Sequence, residues 1–270
     1  MSQRTGTREW AETGINVCVG CAHGCLYCYA ADMAHRFKWM PRLAWSDQER
    51  PDREDVERLE GKRFTGRVMF PTRHDWTPTS EPYCAVALGY LLAAGNDVLV
   101  VTKGGQRTVD LVRLVVVELN TPPAMLPEIR FSITHWSERV GRFWEPRAPS
   151  VDARLCGLGM ASCAGYPTSV SMEPLLQPEK AVEMVAMLAP LCRRDDHGRG
   201  GEIWIGKARH LARRTAWARG RVAGLQEAVE QLEDAQSDDG VMLVYEALQD
   251  HPQVRWKDSY AEVIRRCCGD

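Results

Sequence analysis

Four of the chain's ten cysteines fall within eleven residues, Cys18-Val-Gly-Cys21-Ala-His-Gly-Cys25-Leu-Tyr-Cys28. Thiolates are soft ligands for zinc, iron and iron–sulfur clusters. Three ligand sets compete for them. A structural zinc site uses two CxxC pairs, but zinc ribbons and fingers place roughly 12–20 residues between the pairs. Here only three residues separate Cys21 from Cys25, too few to wrap a tetrahedral ion without strain. A 4Fe–4S cluster closed by all four cysteines would be an electron-transfer module, and ferredoxin runs are similarly dense. A cluster held only by Cys21, Cys25 and Cys28 would leave one iron without a protein ligand, and an open coordination position is where chemistry occurs. Cys18 would then be a small buried hydrophobe of the preceding strand.

The elements that must position this loop follow from hydrophobic periodicity. Strand patterns occur at 13–20, 67–72, 97–103, 129–135, 167–174 and 201–207. Helical patterns lie between them at 81–95, 107–120, 150–165 and 178–193, with Ser150 as an N-cap. Six strands alternating with helices argue for parallel β/α units, which right-handed crossovers curl into a sheet or an incomplete barrel. Either architecture binds ligands at the carboxyl ends of its strands. Those ends carry Cys21–Cys28, His74-Asp75, Lys103, Thr134-His135, Glu173 and Lys207. Residues 42–66 are charged and punctuated by Pro and Gly, and read as a solvated insertion. After residue 207 the alternation stops, so the expected organisation is a core at 13–207 and a helical C-terminal extension at 208–270.

The segment Cys21-x3-Cys25-x-Tyr27-Cys28 at the end of a first strand resembles the signature of the radical SAM superfamily. GCAHGCLYCYA (20–30), EPRAPSVDARL (145–155) and AGYPTSVSMEPLL (164–176) are similar to its spore photoproduct lyase-like branch. The resemblance spans roughly residues 13–207. It implies an α/β fold, a partial (β/α)6 TIM-type barrel, in agreement with the six strands counted above. It also implies that Cys21, Cys25 and Cys28 hold a 4Fe–4S cluster whose fourth iron is chelated by S-adenosylmethionine. Reductive cleavage then yields a 5′-deoxyadenosyl radical that abstracts hydrogen from a substrate. A one-electron donor such as flavodoxin or ferredoxin is implied as a partner.

The resemblance places Tyr27 near the adenine of S-adenosylmethionine. Strand alternation puts Ser169, Ser171 and Glu173 on one side, and Ser132 and Thr134 on one side of their own strand. Glu173 would suit the ribose or ammonium of S-adenosylmethionine, and family analogy puts further contacts at Ser132 and Thr134. Plain strand filling is the bland account of Thr134, and a surface carboxylate that of Glu173. Lys103 and Lys207 offer point charges to a carboxylate or a substrate anion. Many family members carry Gly-Gly-Glu after the second strand for the methionyl amino group. This chain has Arg73-His74-Asp75 there, which makes Asp75 the substitute candidate. His135 is a substrate-pocket candidate, and Glu145 and Arg147 read as an ion pair bracing their loop. Cys84, Cys156, Cys163 and Cys192 read as packed helical residues, and Cys267-Cys268 as a terminal pair.

A net charge of −2 and a charged fraction of 26% give no whole-chain case for a nucleic-acid or membrane partner. Locally, residues 203–226 carry six Lys and Arg and no acid, and residues 227–239 carry six acids and no base. With Trp204 and Trp217 nearby, the basic run suits phosphate and base contacts. The adjacent acidic block is expected to fold back and neutralise it. The N-terminal MSQRTGTREWAETG has no apolar signal-peptide core, and the longest apolar runs are too short to span a bilayer. A cytoplasmic protein without membrane contact is expected. The functional expectation is a radical SAM enzyme acting in nucleic-acid repair or modification. The alternatives are radical modification of a peptide or small metabolite, and a four-cysteine electron-transfer module.

Overall fold

In the computed structural model, which describes residues 5–269, seven strands pair in chain order into one parallel sheet. They are β1 (Thr13–Gly14), β2 (Val68–Phe70), β3 (Val98–Thr102), β4 (Glu128–Ser132), β5 (Thr168–Met172), β6 (Ile203–Ile205) and β7 (Val254–Trp256). Helices α1 (Tyr29–Arg36), α2 (Glu81–Ala93), α3 (Gln106–Glu118), α4 (Val151–Cys163) and α5 (Ala181–Leu188) connect the first six strands. Strictly sequential order with a helix in each crossover curls the sheet one way, and the result is a half-barrel.

The strands are buried on both faces, so they read as apolar runs, not as clean alternation. Outward residues Ile129, Phe131, Val170 and Met172 join Leu88, Val112, Leu158 and Met184 of the surrounding helices in the main core. Each such side chain, once fully buried, contributes about 1.5–3 kcal/mol. The inward faces are set in layers by register. Arg130 lies opposite Ser169, and Ser132 opposite Ser171. Helix α4 approaches the β3–α3 loop so closely that a Cβ on Gly157 would stand 2.9 Å from the Gly105 carbonyl carbon. Ser150 caps α4 as expected, accepting from the Ala153 amide.

Three features depart from the sequence expectation. The first strand pairs in the barrel only over Thr13–Gly14, and Cys18–Val19 instead form an antiparallel ribbon with Arg50–Pro51. The 42–66 segment is therefore not merely solvated, because Arg42, Trp45, Val56 and Leu59 are buried. Beyond residue 207 the chain is mostly helical, with α6 (Leu225–Ala235), α7 (Asp238–Leu248) and α8 (Asp258–Cys268). It also supplies β7, which pairs with β6 and extends the sheet to a seventh strand. A three-residue VRW strand carries too short a pattern to separate from its helical flanks. Residue 270, the last of the expected extension, lies outside the described residues.

Candidate active site

The cysteine loop runs from the ribbon to α1 and is braced from three directions. The Cys21 amide donates to the Trp45 carbonyl at 3.0 Å, and Leu26 N–H donates to the Trp144 carbonyl at 2.9 Å. The buried Arg42 guanidinium donates to the carbonyls of Cys25 (3.1 Å) and Leu26 (3.3 Å) and lies 4.3 Å from the Trp217 ring centroid. Gly20 adopts a φ of +98° where a Cβ would meet Trp45 O and Glu49 Cα, each at 2.8 Å, so the turn requires glycine. Cys28 caps α1, its sulfur accepting from the Ala31 amide. Underneath, Cys25, Leu26 and Tyr27 pack with Trp144, Leu176, Leu211, Leu225, Val229 and Leu232 in a second core. The C-terminal region thus builds the floor on which the loop rests.

Cys21, Cys25 and Cys28 line one cavity of about 600 Å3 at the carboxyl ends of the strands. Tyr27, Asp75, Lys103, Ser132 and Glu173 line the same space, so five of the six expected cofactor contacts converge with the three cysteines. Thr134 does not. Its hydroxyl, two residues past the strand end, donates to Glu145 Oε1 at 2.8 Å and does not line the cavity. His135 likewise sits on a separate 190 Å3 cavity with Glu138 and Arg142.

Glu145 organises that wall. It is fully buried and accepts hydrogen bonds from the Tyr27 hydroxyl, Thr134 and Arg154, with Lys103 Nζ 4.0 Å away. Burial alone would raise its pKa, but Arg154, Lys103 and His135 overcome that and hold it at about 2. The expected Glu145–Arg147 pair is not formed. Arg147 bonds Asp47 at the surface, and the partner of Glu145 is Arg154 from α4. Arg154 comes from α4, nine residues along the chain from Glu145, and the packing of that helix brings it there. Lys103 is opposed by burial but held charged by Glu145, Cys25 and Asp75.

Asp75 is likewise committed. Its Oδ1 accepts from Thr102 (2.6 Å) and the Trp76 amide (2.8 Å), its Oδ2 from the Lys103 amide (2.9 Å), and His23 Nδ1 lies 3.4 Å away. Burial opposes its ionisation, yet His23, Lys103 and Thr102 keep the carboxyl well below the usual carboxylate range. His74 is a structural neighbour: Nε2 accepts from the Val17 amide and Nδ1 pairs with the Asp75 carbonyl. Across the cavity, Glu173 lies 3.5 Å from Lys257 Nζ, and burial raises its pKa against the pull of that lysine.

The basic run divides differently from the expectation. Arg209 pairs with Glu262 (2.7 Å) and Asp258 (3.5 Å), and Arg213 with Asp32 (3.2 Å). The acidic block 227–239 meets it chiefly through a backbone contact, Ala212 N to Glu233 at 3.3 Å. Lys207, Arg209 and Arg214 line the cavity instead. Trp204 is packed against Trp10 and Arg130, and Trp217 against Arg42, so both are only partly exposed. Cys84 and Cys192 are buried as expected, whereas Cys156 and Cys163 are exposed, on the outer side of α4.

Among the described residues no three His, Cys, Asp or Glu converge on one point for a metal. A cubane needs no such convergence, because each thiolate binds a different iron. Burial pushes the Cys25 thiol up to about 12 and Cys21 well above its ordinary value, with Asp75 and the other two thiols adding to Cys21. A bound metal would displace those protons, and Lys103 already pulls the Cys25 pKa down. Cys18 stands apart: it is buried against Glu49 (3.9 Å) and lines no part of the cavity. A fourth thiolate from Cys18 would require remaking the ribbon.

Two solved structures share this architecture, both of spore photoproduct lyase variants. One, with a dinucleoside spore photoproduct, covers 94% of this chain and 78% of its own at a TM-score of 0.55 and 16% identity. The other, with bound AdoMet and the dinucleoside, covers 91% and 76% at the same TM-score and identity. The fold is that of spore photoproduct lyase. The match to the spore photoproduct lyase fold extends past residue 207, and it agrees with the branch that the sequence resembles. In sequence, the chain is 28% identical over 186 residues to an uncharacterized protein, ORF301, of Acidianus two-tailed virus. That stretch is 65% of this chain and spans 59% of the viral protein. No protein-family model matches the chain.

Proposed function

We propose that this chain is a radical SAM enzyme in which Cys21, Cys25 and Cys28 hold a 4Fe–4S cluster and nucleic acid is the substrate. The observation that carries the reading is that these three thiols share one cavity with Tyr27, Asp75, Lys103, Ser132 and Glu173 while Cys18 is turned away. When bound, the reduced cluster supplies the electron that splits S-adenosylmethionine into methionine and the radical that takes hydrogen from the substrate. The protein's part is positional. Lys103, held charged, faces the thiol of Cys25 and offers its ammonium to a ligand carboxylate. Glu173, whose pKa burial raises against the pull of Lys257, is placed for a ribose hydroxyl or an ammonium. Tyr27 presents its ring to the cavity with its hydroxyl fixed on Glu145.

The nucleic-acid part is supported by the cations at the cavity mouth, Lys207, Arg209 and Arg214, and by the dinucleoside bound in the spore photoproduct lyase structures. A one-electron donor of the flavodoxin or ferredoxin kind, and a compartment such as the cytoplasm that keeps thiols reduced, follow from the same reading. No helix of the described residues is long and apolar enough to cross a membrane. The test is anaerobic. After reconstitution with iron and sulfide, reduction and addition of S-adenosylmethionine, 5′-deoxyadenosine is expected by chromatography. The EPR spectrum of the reduced cluster is expected to change on S-adenosylmethionine binding. A loaded cluster whose spectrum ignores S-adenosylmethionine, with no deoxyadenosine formed, would return the protein to electron transfer.

A further inference from the structure

Helix α1 leads directly from Cys28 to an exposed aromatic pair. Its last turn ends with Lys38 in a left-handed conformation (φ +59°), which lets Trp39 N–H return to the Ala34 carbonyl at 2.8 Å and buries Met40 beneath. Phe37 and Trp39 are left on the surface, 58% and 48% exposed, an unusual state for large rings beside a deep cavity. They stack on each other with centroids 5.5 Å apart and planes 23° from parallel. Arg36 lies 5.9 Å from the Phe37 ring and Arg73 lies 5.2 Å from the Trp39 ring. The result is a row, Arg36–Phe37–Trp39–Arg73, of two stacked rings with a cation at each end.

Its inner end, Arg73, also lines the cavity mouth, where Tyr29, 38% exposed, carries Arg214 at 6.0 Å from its ring. The row is therefore continuous with the opening through which a substrate enters. Flat rings for bases, flanked by guanidinium groups for phosphates, are what a flexible polynucleotide strand requires. A paired duplex hides its base faces, and a dinucleotide that fills the cavity has nothing left to lay outside it.

We propose that Phe37 and Trp39 form a stacking platform for unpaired nucleotides flanking the one in the cavity, with Arg36 and Arg73 meeting their phosphates. The enzyme then prefers single-stranded polynucleotide over duplex or dinucleotide. This rests on the nucleic-acid reading above. The partner class set aside is an acidic electron carrier, because a carrier docked on the row would cover the mouth that the substrate uses.

The test uses the full chain with its cluster loaded and labelled oligothymidylate and oligouridylate of about ten nucleotides, a matching duplex and a dinucleotide. Fluorescence anisotropy gives the affinities, and deoxyadenosine formation with dithionite reports the chemistry separately. The single strand should bind tighter than duplex or dinucleotide. Trp39→Ala and Phe37→Ala should each weaken only the single strand, by about tenfold or more, while Trp39→Phe retains most of the affinity. The parental melting temperature and dithionite-driven cleavage should be unchanged in these surface variants. Equal binding of all three probes, or no loss in the alanine variants, overturns the platform. Cleavage of S-adenosylmethionine without binding of any oligonucleotide overturns it together with the nucleic-acid reading, leaving the radical chemistry standing. Slower cleavage in Trp39→Ala with a flavodoxin reductant but not with dithionite, and with strand binding intact, would assign the surface to the electron donor.

Discussion

Glu145 shows how one residue governs the site without touching the cavity. Glu145→Gln keeps an acceptor for Tyr27 and Thr134 but leaves Arg154 a buried cation without its carboxylate and takes from Lys103 one of the anions that hold it charged. Breaking a buried pair in this way costs about 3–5 kcal/mol, which urea denaturation would measure. A loss near zero would mean that Arg154 finds other company. His74 gives a pH signature of its own. Burial lowers its pKa from the ordinary 6.5 to about 4, so between those values the unfolded chain takes up a proton that the folded chain refuses. Its contribution is fully present above pH 6.5, falls as pH drops towards about 4, and changes no further below. His74→Gln should flatten the upper part of that slope, above the range of ordinary carboxylates. At the cluster, Cys21→Ala, Cys25→Ala and Cys28→Ala should each lose iron and sulfide on reconstitution, whereas Cys18→Ala should load normally.

Among the elements, the segment before β1 takes an unexpected part. A turn of 3-10 helix at Gly6–Glu9 crosses the open side of the half-barrel, and Trp10 lies against Trp204, Arg130 and Lys257. Lys257, fully buried at the end of β7, holds it there by bonds to the Gly6 carbonyl (2.6 Å) and Glu9 (3.0 Å), with Glu173 3.5 Å away. Lys257→Met should release this strap, and hydrogen exchange of amides 6–11 should accelerate about tenfold or more while β3–β5 stay protected. Unchanged protection would mean that Trp10 alone suffices. Below the cavity, Arg130 bonds Glu128 (3.0 Å) and Ser169 (2.8 Å), forming a buried polar plug. The sequence alternation grouped Ser132 with Thr134 and Ser169 with Ser171 and Glu173; of these Ser132, Ser171 and Glu173 line the cavity, and the same alternation puts Arg130 on the side of Ser132.

Taken whole, the molecule carries a net charge of −2 and yet gathers cations at one mouth. Binding of a single strand should therefore weaken with salt, with a slope of log affinity on log salt of about −0.7 for each phosphate neutralised. Arg36→Gln, outside the cavity, should make that slope shallower by about one such increment. A flat slope in the parent protein would remove the electrostatic case for nucleic acid.

The spacing of Cys21, Cys25 and Cys28, the alternation of strands and helices, and the polar residues at strand ends were all legible in the chain because each is a local pattern. Chemistry that depends on three residues within one loop, or on a strand end, needs no knowledge of distant neighbours. What only the tertiary structure decided are the partners of charges. Glu145 chose Arg154 over the nearer Arg147, Arg209 chose Glu262 over the adjacent acidic block, and Lys257 reached back to Glu9 and Glu173. The physical reason is that burial makes an unpaired charge expensive, so a buried group pairs with whichever partner the packing delivers, however far away in sequence. The same holds for Cys18, close in sequence to the cluster loop but carried by a short antiparallel ribbon to Glu49 and out of the cavity.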